Sequence, residues 1–142
     1  MMGTTPQLNR KLRLLIVDDS KVDVDILLYV LRSAGYQVEY DLVQTAYDMR
    51  AALEREPWDL ITSDHRMPQF SAPEALDLAK ELRPNIPIII VSGETNPDLA
   101  TSLKSAGDQD FVPKAELFTE LIPAIGRVLG NLTDDQGRQS LE

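Results

Sequence analysis

The sequence predicts an α/β fold, doubly wound around a five-stranded parallel sheet, on two observations. Short apolar runs alternate along the chain with segments whose apolar residues recur every three or four positions. Strands that alternate with amphipathic helices form parallel sheets covered by helices on both faces. Several apolar runs are also followed directly by an acidic residue, a serine or a lysine, which places polar groups at the strand ends where open α/β sheets bind ligands.

The first strand–helix unit begins with the apolar run 12–17. The helix predicted next has Ser20 as its N-cap and Gly35 as its stop. A serine oxygen accepts one of the free N–H groups of a first turn, and glycine adopts the left-handed conformation common just after a helix. Residues 36–43 are rich in β-prone side chains and predict the second strand.

The second and third helices are predicted from caps and prolines. A weaker helix over 45–55 is separated by Pro57 from the third apolar run, 58–63. Ser71, three residues before Glu74, gives the capping-box pattern. The helix that this box opens is predicted to end at about residue 82.

The last two units follow the same logic. The run 86–91 predicts the fourth strand, and a helix is predicted over 96–106, with Gly107 in the left-handed position after it. Residues 111–113 predict the fifth strand. Apolar residues at helical spacing over 117–129 predict the last helix.

Length and composition indicate a single domain of 142 residues. We expect a flexible arm over 1–11, the domain over 12–130 and a polar tail over 131–142. The net charge of −9 argues against direct nucleic-acid binding, which relies on basic residues. With no cysteine, no signal-peptide core and no apolar stretch of about 20 residues, we expect a cytoplasmic protein that does not enter the membrane.

The polar residues after the apolar runs predict a chemical site. They are Asp18, Asp19, Asp64, Ser92 and Lys114. Because the carboxyl ends of parallel strands meet at one edge of the sheet, these side chains should share one crevice. Any one aspartate at a strand end is more often a cap or a solvated loop residue. The whole set, each member at its own strand terminus, favours a site.

Three carboxylates in one crevice repel each other. Two unit charges about 4 Å apart cost roughly 4 kcal/mol at an effective dielectric near 20. A proton or a cation is therefore required, and Mg²⁺ is the cation that prefers carboxylate oxygens and keeps waters for exchange with phosphate. Asp64 could then attack a phosphoryl group as a nucleophile, while Lys114 and Ser92 bind its remaining oxygens.

With these residues in place, the chain resembles the receiver domains of two-component response regulators, including those of sensory hybrid proteins. The resemblance covers about Leu12 to Leu129, and it implies a flavodoxin-like (βα)5 sheet of order 2-1-3-4-5. The segments that carry it are Val17-Asp18-Asp19-Ser20, Asp64-His65-Arg66-Met67-Pro68, Val91-Ser92-Gly93 and Gly107 through Lys114.

The resemblance implies a role for each matching residue. Asp64 corresponds to the aspartate that accepts a phosphoryl group. Asp18 and Asp19 correspond to the acidic pair that holds Mg²⁺, and the backbone carbonyl of Arg66 corresponds to a further metal ligand.

Three more positions match the family. Ser92 and Phe111 correspond to the switch residues, and Lys114 to the lysine that pairs with the phosphoryl group. One departure is that Ala115 follows Lys114, where the family usually has a proline after a cis bond. We therefore expect a trans peptide there, since a cis bond before a non-proline residue costs about 2.5–4 kcal/mol. His65 is interpreted as a solvent-facing loop residue, with an influence on dephosphorylation as the alternative.

The resemblance implies a signalling switch rather than an enzyme with an external substrate. Expected partners are a histidine kinase or histidine phosphotransfer protein, and an output domain or effector. The output domain or effector would bind the surface formed by 96–106 and 115–129. A homodimer is also possible. The alternative is a pseudo-receiver that binds proteins without carrying phosphate. An aspartate phosphatase is disfavoured, because enzymes of that type usually need Asp-x-Asp at the end of the first strand, where this chain has Asp18-Asp19-Ser20. A dinucleotide binder is disfavoured, because no glycine-rich phosphate loop follows any strand.

Overall fold

The computed structural model describes residues 10–65, 70–93 and 109–141. Five parallel strands form one sheet in the order 2-1-3-4-5, which confirms the predicted fold class and strand order. The strands are β1 (Arg10–Val17), β2 (Tyr36–Val43), β3 (Leu60–Asp64), β4 (Ile88–Ser92) and β5 (Gln109–Pro113). The helices in the described ranges are α1 (Lys21–Ser33), α2 (Ala46–Arg55), α3 (Ala72–Leu82) and α4 (Leu117–Leu141), with a 3₁₀ turn at Lys114–Glu116. The helix predicted over 96–106 and its stop at Gly107 lie outside the described residues.

Hydrophobic clusters on the two faces of the sheet hold the helices. Leu14 and Ile16 of β1 face the cluster that includes α1 and α4. Leu15 and Val17 face the cluster that includes α2 and α3. This alternation is the two-residue period of a strand, and it leaves β3 and β4 buried along their whole length.

The predicted helix signals are present as local hydrogen bonds. The Ser20 hydroxyl oxygen accepts a hydrogen bond from the backbone N–H of Asp23 at 3.3 Å and caps α1. Gly35 follows that helix with a φ of 97°, a conformation that favours glycine. Ser71 and Glu74 form the full capping box of α3.

Several element boundaries differ from the sequence prediction. β3 and β4 each begin two residues later than the predicted runs 58–63 and 86–91, and β5 begins two residues before residue 111. β1 begins at Arg10 rather than at residue 12, because residues 10 and 11 pair with the start of β2. The helix end predicted before Gly130 is wrong, since α4 continues to Leu141 through most of the predicted tail. A glycine inside a helix costs only about 1 kcal/mol, so it need not end one. No helix in the described ranges, α4 included, is long and apolar enough to cross a membrane.

The strand register aligns the carboxyl ends of the sheet. Asp64 at the end of β3 lies opposite Val91 of β4. Ser92 at the end of β4 lies opposite Pro113 of β5, and Lys114 comes directly after that proline. The edge predicted from sequence is therefore formed by the ends of adjacent strands.

Candidate functional site

Three aspartates meet at the carboxyl edge of the sheet, as the sequence predicts. Asp18 follows β1 directly, Asp19 is the next residue, and Asp64 is the last residue of β3. One carboxylate oxygen from each lies within 4.8 Å of the others. Asp18 and Asp64 are each only 7% exposed, whereas Asp19 is open to solvent.

The burial of Asp18 makes its negative charge costly within this cluster. The backbone N–H of Ser20 donates a hydrogen bond to Asp18 Oδ1 at 2.9 Å, which holds the carboxyl group in place. Burial raises the pKa of Asp18 from 3.8 to about 6, and the negative charge of Asp64 adds to the increase. A cation among the three carboxylates would relieve both costs. This all-oxygen donor set, with one open side at Asp19, fits Mg²⁺.

Lys114 brings the positive charge of the site. Its Nζ lies 3.1 Å from Asp64 Oδ1, although Lys114 follows the carboxyl end of β5 and β4 lies between β5 and β3. The Lys114–Ala115 peptide is trans, as expected from the absence of proline. The chain continues into the 3₁₀ turn, so Ala115 at this position leaves the ammonium within reach of Asp64.

A fourth carboxylate, Asp23, belongs to the same site and was not identified from the sequence. The Lys114 ammonium donates a hydrogen bond to Asp23 Oδ2 as well as pairing with Asp64. Burial lowers the pKa of Lys114, but the hydrogen bonds to Asp23 and Asp64 outweigh burial and raise it. The available signal was position: Asp23 lies one helical turn after Asp19, at the beginning of α1.

Two further predicted residues, Ser92 and Phe111, belong to β4 and β5. Ser92 ends β4 and is 1% exposed. Phe111 lies within β5 and packs, partly buried, against the cluster on the α2–α3 face. Arg66 lies outside the described residues. The metal-ligand role of its carbonyl and the switch roles of Ser92 and Phe111 therefore stay predictions.

Beneath the acidic cluster lies a small cavity between α1 and the sheet. Besides the charged residues of the site, apolar side chains of α1, β4 and α4 line it, together with Thr62. The Thr62 hydroxyl is buried, and no described residue forms a hydrogen bond with it. The Nδ1 atom of His65, the residue after Asp64, is also buried without a hydrogen bond from any described residue. His65 lies in the loop after β3, as interpreted, but its side chain is half-buried rather than fully open to solvent. Its backbone N–H donates a hydrogen bond to Val91 O at 2.9 Å.

The arrangement is suited to receiving an anion on Asp64. The carboxylate is nearly buried, an ammonium contacts one of its oxygens, and two further carboxylates can hold a cation beside it. An ammonium and a bound cation together would neutralise an incoming anionic group that Asp64 alone would repel.

Comparisons with known proteins agree with this geometry. The sequence profile of the family described as the response regulator receiver domain matches residues 14–126. The DNA-binding transcriptional regulator NtrC of Bradyrhizobium is 30% identical over 116 residues, which are 82% of this chain. The chain spans about a quarter (24%) of the length of that relative.

Solved structures give the same result. A CheY-like response regulator receiver domain protein from Methanospirillum hungatei superposes with a TM-score of 0.71 at 29% identity, covering 87% of this chain and 97% of that one. The receiver domain of the sensor histidine kinase PA1611 from Pseudomonas aeruginosa has a TM-score of 0.70 at 24% identity and covers 84% of this chain and 98% of its own. That protein's structure is described with a magnesium ion coordinated in its active-site cleft.

Proposed function

The chain belongs to the family of response regulator receiver domains, and we propose that it is a phosphorylation-dependent signalling switch with Asp64 as the phosphoacceptor. The family acts in two-component phosphorelay signalling. The observation that carries the assignment of Asp64 is its position, nearly buried, in contact with Lys114 and within 4.8 Å of two further carboxylates.

The proposed reaction is a displacement at phosphorus. A carboxylate oxygen of Asp64 attacks the phosphorus of a phosphohistidine on a histidine kinase or phosphotransfer protein. The O–P bond forms while the N–P bond breaks, and the imidazole leaves with the bonding electrons and takes up a proton. A water molecule later attacks the same phosphorus, which releases inorganic phosphate and restores the Asp64 carboxylate.

The other residues of the site bind and orient the transferred group. Lys114 donates to a phosphoryl oxygen from the position it already occupies against Asp64. Ser92, at the end of the adjacent strand, supplies a hydroxyl. Asp18 and Asp19, with Asp64 and the backbone carbonyl of Arg66, would hold Mg²⁺, which when bound neutralises charge on the phosphoryl oxygens.

The output is a change of surface rather than a product. Movement of Ser92 toward the modified site and a change of the Phe111 rotamer would shift the population of two conformations. This shift would alter the surface formed by 96–106 and 115–129. An output domain, an effector or a second copy of the chain would bind there. We further propose that the functional unit is 12–130, that it acts in the cytoplasm, and that it catalyses no reaction beyond its own phosphorylation and dephosphorylation.

Incubation with acetyl phosphate and Mg²⁺, followed by intact-protein mass measurement, tests the proposal. The wild-type chain should gain one phosphoryl group, and Asp64→Asn should gain none. Asp59→Asn, directly before the amino end of the same strand, is the matched control and should be labelled like wild type. A wild-type chain that stays unmodified would contradict the switch and favour the pseudo-receiver alternative.

A further inference from the structure

Lys114 is shared between two carboxylates from different parts of the fold. Its ammonium contacts Asp64 Oδ1 at 3.1 Å and also donates to Asp23 Oδ2. The Lys114 and Asp23 side chains are 27% and 31% exposed, whereas the Asp64 side chain is 8% exposed. Asp23 therefore forms part of the wall of the cleft rather than belonging to the outer surface of α1.

The backbone fixes Asp23 in this position. It lies in the first turn of α1, and its N–H donates to the Ser20 hydroxyl that caps the helix. A negative charge is favoured at a helix N-terminus, so the carboxylate is stable there without a second cation. Lys114 is fixed from the other side by the end of β5 and the 3₁₀ turn. The contact thus joins two rigid elements across the cleft.

We propose that Asp23 is a positioning residue that competes with a phosphoryl group on Asp64 for the Lys114 ammonium. The inference rests on the proposed function. It adds that Asp23 influences the stability of the phosphorylated state of Asp64.

The argument for competition is one of charge. A lysine ammonium has three N–H donors, and two of them are already directed at carboxylates. Phosphorylation replaces the single negative charge of Asp64 by nearly two. The Asp23 carboxylate, bound to the same ammonium, then lies a few ångströms from that charge and repels it. It also keeps one N–H donor of the Lys114 ammonium that would otherwise bind a phosphoryl oxygen.

Removal of the charge on Asp23 should therefore favour the phosphoryl-bound state. Asp23→Asn keeps the shape of the side chain and one acceptor oxygen, and Lys114 remains held by Asp64. A partly exposed charge pair is worth up to about 1 kcal/mol, which corresponds to about a fivefold change in an equilibrium constant.

Titration with beryllium fluoride at saturating Mg²⁺ measures this equilibrium directly, because beryllium fluoride binds a carboxylate as a stand-in for a phosphoryl group. The full chain is titrated by calorimetry as wild type and as three variants. Asp23→Asn should bind about fivefold more tightly. Asp23→Glu keeps the charge and should stay within about twofold of wild type.

The third variant, Asp25→Asn, is the matched control. Asp25 is on the same helix and pairs at 3.7 Å with the exposed Lys21, away from Lys114. It should leave the affinity unchanged, which separates a local effect from the loss of one unit of net charge. Urea unfolding of all variants identifies any general loss of stability.

Equal or weaker binding by Asp23→Asn, or the same gain in Asp25→Asn, overturns the inference. If wild type binds beryllium fluoride and is phosphorylated by acetyl phosphate, but Asp23→Asn binds beryllium fluoride with the wild-type affinity, the inference alone fails. If wild type does neither, the proposed function fails and the inference fails with it.

Discussion

The two ends of β3 carry charged groups that are organised in opposite ways. At the amino end, the guanidinium of Arg13 contacts Glu56 and, at 3.2 Å, Glu39. Its Nε donates to Pro57 O at 2.9 Å, and its central carbon lies 5.5 Å from the ring centre of Trp58. The donors of one cation are thus matched by carboxylates, a carbonyl and an aromatic face.

At the carboxyl end, charge is left unmatched. Lys114 is the cation that the described residues place against Asp64 and Asp23, while Asp18 and Asp19 lie beside them. The amino end is arranged to hold strands together. The carboxyl end keeps an excess of negative charge that a bound cation or a proton can balance, so its free energy depends on what it binds.

The largest expected difference between the two ends is in phosphoryl transfer. Lys114→Met should slow labelling by acetyl phosphate about 100-fold, since removal of one donor from a developing anion has effects of this order. Arg13→Met removes an equal charge and should change the rate by less than about twofold. The rates are measured by intact mass over time. A similar loss in both variants would mean that net charge, and not the contact with Asp64, controls labelling.

The second difference is in stability, where we expect the substitution at the amino end of β3 to have a clear effect. Arg13→Met should lower the free energy of unfolding by about 1–2 kcal/mol. It removes the ion pair with the partly exposed Glu56, the pair with the more exposed Glu39 and the contact with Trp58. Urea denaturation in the presence of Mg²⁺ measures the loss. An unchanged midpoint would show that the Arg13 contacts add nothing to the folded state.

The third test concerns pH and Asp18. Its pKa is about 6 in the folded protein and 3.8 as the reference value, so the folded state binds the proton more tightly. The stabilisation that this proton on Asp18 gives to the folded state is fully present below about pH 4, and it is lost as the pH rises through about 6. Without Mg²⁺, Asp18→Asn should therefore be about 1–2 kcal/mol more stable than wild type at pH 7.5.

This gain should shrink as the pH approaches 4, and Mg²⁺ should remove most of it at pH 7.5. Urea unfolding of both proteins across the pH range measures the difference. A gain of the same size at every pH would contradict the role of the buried charge.

The smallest effect is expected at a pair that belongs to neither end. Lys21 and Asp25 are 85% and 62% exposed and lie 3.7 Å apart on α1. Lys21→Met should change the free energy of unfolding by less than about 0.5 kcal/mol, since exposed pairs on one helix are worth little. A larger loss in thermal or urea unfolding would mean that exposed charges of this chain cannot serve as neutral controls.

The parts of the molecule that could be predicted from sequence are those with local or periodic signals. Ser20 and Gly35 delimit α1 through interactions within a few residues of themselves. Asp18, Asp64 and Lys114 were predicted to converge because parallel strands end at one edge, which is a property of the topology and not of the side chains.

What could not be predicted depends on distance in three dimensions. Asp23 resembles any acidic residue in a first helical turn, and only the fold brings it to Lys114, 91 residues away. The Arg13 network likewise joins β1, β2 and the segment before β3. The end of α4 was misjudged at Gly130 because helix termini without a strong cap are set by small energies.

The positions of Trp58 and His65 give each end of β3 its own natural spectroscopic reporter. The chain has one tryptophan and one histidine, and they lie just before and just after this strand. Indole fluorescence should follow unfolding at the Arg13 cluster. The imidazole resonances of His65, adjacent to Asp64, should follow occupancy of the cleft in unlabelled, unmodified protein.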